Sequence, residues 1–164
     1  MVDINNYITE KLHLNKNIKK QYTYCPENKS QLKDLLHQLF RERGNEADLN
    51  DIDVSKITDM SRLFATGEYI NMNFNISDWD VSNVTNMTEM FSECEKFNCD
   101  ISSWDVSNVK YMNYMFYGCK DFEQNLSKWN VENVKRWNGF STESGLGVAT
   151  KQHLKPKFNL NNVK

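Results

Sequence analysis

Apolar residues in the middle of the chain recur with a period of about 25 residues. The hexapeptide WDVSNV occurs at 79–84 and again, unchanged, at 104–109. An earlier copy starts near Asp53, 27 residues upstream of the copy that contains Asp80. Tryptophans mark the later copies at a constant spacing of 25: Trp79, Trp104 and Trp129. Self-similarity at a fixed period predicts an array of similar units that pack against one another.

Each copy contains two segments with different patterns. Residues 82–91 carry apolar side chains at i, i+3, i+6 and i+7, which predicts a helix with Ser82 as its N-cap. Residues 101–104 are polar in the middle and apolar at both ends, which predicts a short strand. The predicted fold class is therefore an α/β repeat solenoid. It would be a stack of short parallel strands and helices with an N-terminal helical cap.

The repeats are flanked by segments with other patterns. Residues 30–43 form an amphipathic helix that Asn28 or Ser30 can cap and that Gly44 ends. We assign this helix as the N-terminal cap, with a partner-binding helix as the alternative. The predicted organisation is an N-terminal helical segment and cap at 1–48, including a short helix within 1–20, about four repeats at 49–140, and a C-terminal cap or tail at 141–164.

The repeat also resembles a known family. Its pattern W-D-V-S-N-V-x-x-M-x-x-M-F-x-x-C-x-x-F, over roughly 45–140, resembles the BspA-like leucine-rich repeats, a bacterial 25-residue repeat domain of unknown function. This resemblance implies a leucine-rich-repeat-like, right-handed scaffold and no shared catalytic residues. Many relatives look like secreted or lipid-anchored surface proteins, which implies a surface or adhesion role as one alternative.

Composition narrows the function classes. The 164 residues include 20 basic and 22 acidic side chains, interleaved along the chain, for a net charge of −2. A nucleic-acid binder usually has a basic face, so we expect no direct binding of nucleic acid. The sequence contains no apolar run that would serve as a secretion signal or span a membrane. We expect a cytoplasmic protein with no membrane partner, or a surface protein if a signal has been removed.

No catalytic or metal-binding motif stands out. The chain lacks a Gly-rich phosphate loop, GxSxG and HExxH, so we predict a protein that is not an enzyme and needs no cofactor or metal. Its four cysteines keep no metal-ligand spacing to the histidines. We expect buried, reduced thiols, with Cys94 and Cys119 as neighbours in adjacent units.

The repeated polar residues are predicted to serve the scaffold. Asp80 and Asp105 suit turns, with a calcium ladder as the alternative. The repeated asparagines predict a ladder that satisfies backbone groups between units: Asn83, Asn108 and Asn133. The repeated tryptophans are expected in the core or at its rim, with a binding platform as the alternative.

Function is expected where the copies differ. The third copy has tyrosines where the second has Asn86, Glu89 and Ser92: Tyr111, Tyr114 and Tyr117. Helical geometry would turn them away from the core, and Tyr is enriched in interface hot spots. Arg136 takes the Tyr111 position in the next copy and extends the patch. Coverage by the C-terminal tail or the N-terminal segment, and self-association, are the alternatives to a partner site.

A second candidate face lies on the predicted strand side, where the variable positions hold Asp78, Ser103 and Lys128. Together these features predict a non-enzymatic protein–protein interaction module. An intracellular inhibitor or adaptor of the phage or mobile-element type, acting by surface masking, would suit such a chain. The partner would be another protein, with self-association through the tyrosines as an alternative.

Overall fold

The computed structural model of the protein describes residues 21–65 and 67–159. These residues contain one α-helix, α1 (Lys29–Arg43), and two short 3-10 helices, Gly145–Gly147 and Ala149–Leu154. The helix predicted within residues 1–20 lies outside the described residues. In the described ranges, β-structure is confined to isolated bridges.

Helix α1 follows from local signals in the sequence. The Asn28 side chain accepts a hydrogen bond from the Gln31 backbone N–H at 3.1 Å, so Asn28 is the N-cap. Gly44 ends the helix with φ at 79°, where a residue with a Cβ would be strained. The predicted cap helix is confirmed. Leu35 is partly buried and three other leucines of the apolar face are fully buried, so this face packs on the core and gives no support to the alternative of a partner-binding helix: Leu32, Leu36 and Leu39.

Two polar contacts hold α1 on the first repeat. Lys29 donates to Asp59 at 3.3 Å and to Ser61 at 2.7 Å. Arg43 donates two hydrogen bonds to the carboxylate of Asp51, at 2.8 and 2.9 Å. The guanidinium lowers the pKa of Asp51, so this bidentate pair stays charged over the neutral range.

The prediction of an α/β repeat solenoid is wrong. The segment expected to be a helix is a series of turns, because its backbone N–H groups bond either to carbonyls of a neighbouring copy or to residues three positions back, and not to residues four positions back. Glu89 donates to the Asn113 carbonyl at 2.8 Å, and its positive φ of 54° is incompatible with a helix. Ser82 is therefore no N-cap. The expected strand at 101–104 is also a turn, closed by Trp104 N–H to the Ile101 carbonyl at 3.1 Å.

The apolar spacing gave the wrong prediction of a helix because a series of turns buries residues at some of the same positions as the apolar face of a helix. Hydrogen bonds between residues three apart, such as Val84 N–H to Val81 O at 2.9 Å and Met90 N–H to Met87 O at 3.2 Å, return the chain to the core every third residue. The positions i, i+3 and i+6 are therefore buried without an α-helix. Periodicity alone does not distinguish these two arrangements.

The register of the copies agrees with the sequence. Parallel bridges join Asp59 to Asn86, Asn86 to Tyr111, and Tyr111 to Arg136. These offsets of 27, 25 and 25 residues are the ones read from the repeat. Equivalent residues of successive copies are thus neighbours in space.

Side chains repeat the same register as ladders. Each repeat asparagine donates from Nδ2 to a backbone carbonyl of the preceding copy at 2.7–2.9 Å: Asn83 to Ser55, Asn108 to Ser82, and Asn133 to Ser107. Asp80 and Asp105 accept the N–H two residues ahead, at 3.1 and 3.0 Å, in Asx turns. The predicted scaffold roles of these asparagines and aspartates are confirmed.

Aromatic columns fill the core between the copies. Phe91 stacks on Phe64 with ring centroids 5.4 Å apart and on Phe116 at 5.5 Å, with interplanar angles of 7° and 6°. The three repeat tryptophans are 4–5% exposed, and each indole N–H donates to a carbonyl of the preceding copy: Trp79, Trp104 and Trp129. They belong to the core, as expected, and offer no binding platform.

The C-terminal segment covers the last copy. Phe158 stacks on Trp137 at 4.9 Å with an interplanar angle of 6°, and Leu126 N–H bonds to the Leu154 carbonyl at 2.8 Å. Leu146 is fully buried. The described part of this segment therefore acts as a cap that keeps the final aromatic column from water.

The cysteines are free thiols, as expected, but their burial differs. Cys94 and Cys119 are buried neighbours whose S–H groups point to the Phe64 and Phe91 carbonyls, at 3.5 and 3.0 Å. Burial raises the pKa of Cys94 to about 12 and raises that of Cys119 as well. Cys25 is exposed, contrary to the expectation of uniform burial.

This difference predicts selective thiol labelling. At pH 8 we expect Ellman's reagent to modify Cys25 rapidly in the folded protein and to leave Cys94 and Cys119 unmodified, because buried thiols with raised pKa values supply almost no thiolate. Guanidinium should release both. A Cys25→Ser variant should lose the fast phase. Rapid labelling of Cys94 or Cys119 in native protein, mapped by mass spectrometry, would contradict the prediction.

Candidate protein-binding surface

The most distinctive surface, here called the tyrosine face, consists of Tyr111, Tyr114, Tyr117 and Arg136. Its first position is defined by the bridge ladder that joins Asn86, Tyr111 and Arg136. In the first two copies this position holds Asp59 or Asn86. Each caps its own turn, by accepting the N–H of Ser61 at 2.8 Å or of Thr88 at 3.1 Å.

Tyr111 and Arg136 cannot make that capping bond. In the fourth copy, the side-chain oxygen of Asn113 from the third copy accepts the Asn138 N–H at 3.1 Å, which replaces the bond that Arg136 cannot make. At Tyr111 the side chain makes no capping bond to its own turn. Tyr111 is 36% exposed.

Tyr114 is the most exposed aromatic residue of the face, at 45%. Its φ of 53° is shared by Arg62 and Glu89 in the earlier copies, so the conformation belongs to the repeat. Arg62 and Glu89 use this position for a two-bond ion pair at 2.9 Å. Tyr114 instead lies against Gly139, where a Cβ would collide with its ring. Because Gly139 has no side chain, the Tyr114 ring can pack against its backbone at the surface.

Tyr117 is less available than the other two. It is only partly exposed, and its ring packs edge-on against Tyr114 with centroids 6.1 Å apart. The charge of Glu143, a little desolvation and a hydrogen bond to Glu143 raise its pKa. We therefore treat Tyr117 as a residue that supports Tyr114. Of the three tyrosines predicted to face outward, Tyr111 and Tyr114 remain as direct candidate contacts.

The comparison of the copies in the sequence did not single out two basic residues that lie beside the tyrosines. Lys110 and Lys135 are exposed, and they occupy the position that holds Thr58 and Thr85 in the first two copies. Lys135 N–H bonds to the Lys110 carbonyl at 2.8 Å, so the two residues are adjacent in space. Extending the copy-by-copy comparison by one position would have found them.

The alternative that a terminal segment covers the tyrosines receives no support from the described residues. The C-terminal segment packs on Trp137 and Phe140, in the last copy. Residues 23 and 24 bond to the first copy through Asp51. Tyr111 and Tyr114 are exposed although both segments are in place.

The second candidate face is a shallow groove. Asp78 and Ser103 line it together with Asp80, Asp105 and buried tryptophans, while Lys128 is exposed but is not among the lining residues. Asp80 and Asp105 already cap turns. The side chains of the groove are therefore engaged in hydrogen bonds of the repeat to a greater extent than those of the tyrosine face.

Searches for other chemistry in the described residues give two findings. No group of three or more His, Cys, Asp and Glu side chains in 21–65 and 67–159 could hold a metal ion. Within the same ranges, no helix has both the length and the apolar character required to cross a membrane.

Comparison with known proteins identifies a family. A family model described as "Mycoplasma protein of unknown function, DUF285" matches residues 34–146, which is more than half of the chain. Searches of curated proteins and of solved structures give no match. The expected assignment to BspA-like leucine-rich repeats is wrong, because the family model that matches is a different one and the described residues contain no strand-and-helix repeat. The chain belongs to the Mycoplasma protein family of unknown function DUF285.

Proposed function

We propose that the chain is a non-enzymatic protein-binding module whose partner docks on the tyrosine face. The observation that supports this most is the loss of a scaffold contact at Tyr111. Its equivalents Asp59 and Asn86 cap turns, whereas Tyr111 makes no such bond and is 36% exposed. An exposed aromatic side chain costs solvation without stabilising the fold, and Tyr is frequent in interface hot spots.

The surface around Tyr111 suits docking in other respects. Tyr114 is held by Gly139 and by Tyr117, so less side-chain entropy is lost when a partner binds. Arg136 adjoins Tyr111 across the bridge and adds a planar cation. Binding there would mask a surface of the partner, which is how we propose that the chain acts as an inhibitor or adaptor.

Replacing the two exposed tyrosines with asparagine should remove binding without harming the fold. In a Tyr111→Asn/Tyr114→Asn variant, the first asparagine can cap its turn as Asn86 does, and the second suits a positive φ. We expect a melting temperature unchanged within a few degrees. Capture of the partner from a lysate of the source organism should fall at least roughly tenfold, as loss of two aromatic anchors implies.

The matched control changes the other candidate face. Ser103→Ala/Lys128→Ala should capture the same protein as the wild type, quantified by mass spectrometry. Sizing chromatography of the free chain distinguishes self-association, because a dimer lost only in the tyrosine variant would identify a second copy as the partner. Retention of the partner by a folded tyrosine variant would refute the proposal.

The glycine beneath Tyr114 gives an independent test. Gly139→Ala and Gly118→Ala both place a Cβ at positive φ, 64° and 70°, and should each destabilise the fold by about 1–2 kcal/mol. The Cβ at position 139 would displace the Tyr114 ring, whereas that at position 118 would meet the Glu93 carboxylate.

We therefore expect Gly139→Ala to weaken partner capture several-fold more than Gly118→Ala, at equal measured stability. Thermal unfolding provides the stability measurement, and capture is compared well below both melting temperatures. Equal capture by the two variants would show that the packing of Tyr114 on Gly139 does not matter for binding.

A further inference from the structure

Some cations on the repeats pair with carboxylates of a neighbouring copy. Lys120 contacts Glu95, and Lys96 contacts Asp121 at 3.1 Å. Arg62 pairs with Glu89 at 2.9 Å in the same manner. Each of these pairs offsets a positive charge locally and adds modestly to stability.

One group of cations departs from this pattern. Lys110, Lys135 and Arg136 are exposed, and none of them forms an ion pair with another residue in the described ranges. The Lys110 carbonyl accepts from Lys135 N–H at 2.8 Å and from Arg136 N–H at 3.4 Å. Three positive charges that have no ion pair within the described residues therefore lie together beside Tyr111. We call them the basic edge.

The basic edge is confined to the later copies. The corresponding positions hold Thr58 and Asp59 in the first copy and Thr85 and Asn86 in the second. Both earlier pairs serve the scaffold, because Asp59 and Asn86 cap turns and Thr85 donates to the Thr58 carbonyl at 3.2 Å. The positive charges thus appear where the tyrosines appear, at positions released from scaffold bonds.

We propose that the partner presents a short acidic segment with an aromatic or aliphatic side chain, so that its carboxylates pair with the basic edge while that side chain packs on Tyr111 and Tyr114. This inference rests on the proposed function and specifies the chemistry of the partner. Complementary charge steers association and selects among partners, whereas the aromatic contact supplies most of the affinity.

A nucleic acid fits this surface less well than an acidic peptide. Only three cations form the edge, whereas phosphate-driven binding generally relies on a longer row of basic side chains. On the far side of the tyrosines, Glu93 and Glu143 lie close enough to Tyr117 for their charges to raise its pKa. A continuous polyanion crossing the face would meet those carboxylates, whereas a short segment can end before them.

Fluorescein-labelled peptides test the charge requirement directly. The probe is a 12-residue peptide with six Glu and two Phe in a Gly/Ser background. Its comparators replace Glu with Gln, replace Glu with Lys, or remove Phe, and dT12 represents single-stranded nucleic acid. By fluorescence anisotropy, we expect the Glu/Phe peptide to bind at least roughly tenfold more tightly than each comparator, and to weaken between 0.05 and 0.5 M salt as screening increases.

Variants of the chain then locate the binding site. Lys110→Glu/Lys135→Glu/Arg136→Glu should weaken the Glu/Phe peptide at least roughly tenfold, as loss of three charge pairs implies. Arg41→Glu/Lys128→Glu/Lys157→Glu makes the same change in net charge at exposed cations elsewhere and should bind like the wild type. Circular dichroism checks that both variants are folded.

The outcomes separate this inference from the proposed function. Equal binding of the Glu and Gln peptides, tighter binding of dT12, or equal loss in both triple variants would overturn the acidic-segment proposal. If the tyrosine variant still loses its captured partner while basic-edge reversal leaves that capture unchanged, the proposed function stands and this inference falls. If neither change affects capture, both fall.

Discussion

Backbone hydrogen bonds between equivalent residues of successive copies hold this fold together. Met87, Glu89 and Phe91 donate in turn to carbonyls of the third copy, at 2.8–3.0 Å. A buried backbone N–H needs an acceptor, and the turns of a single copy cannot supply enough of them. Each copy therefore relies on its neighbours for polar satisfaction as well as for burial of its apolar side chains.

A fixed register converts repetition in sequence into columns in space. Phe91 lies between Phe64 and Phe116, and each repeat asparagine reaches a carbonyl of the copy before it. Such columns favour the same residue at every position, because one altered member would leave its neighbours without a partner. At the two ends, α1 and the segment around Phe158 complete columns that would otherwise meet water.

The same constraint explains where the surface can vary. Positions that bond along a column are tied to their neighbours, whereas a position becomes free once another side chain assumes its task. Asn113 accepts the Asn138 N–H, and the adjacent ladder position holds Arg136 in place of a capping Asp or Asn. Tyr114 likewise occupies a position that forms an ion pair between the first two copies. Aromatic and basic side chains thus collect in the later copies, while the backbone remains that of the repeat.

The period, the register, the cap helix and the scaffold roles of Asp80, Asn108 and Trp104 could be predicted from the sequence, because they depend on residue identity at fixed spacing. The sequence also pointed to Tyr111, Tyr114 and Arg136 as departures from the repeat. The local conformation of each copy became clear only from the structure: each copy consists of turns that bond to the next copy. A stripe of apolar residues at i, i+3 and i+6 does not distinguish such turns from a helix. The structure also revealed that Tyr114 packs on Gly139 and that Lys110 and Lys135 form no ion pair within the described residues. Those features are contacts between residues about 25 positions apart, and the spacing of one copy carries no information about which side chains meet across copies.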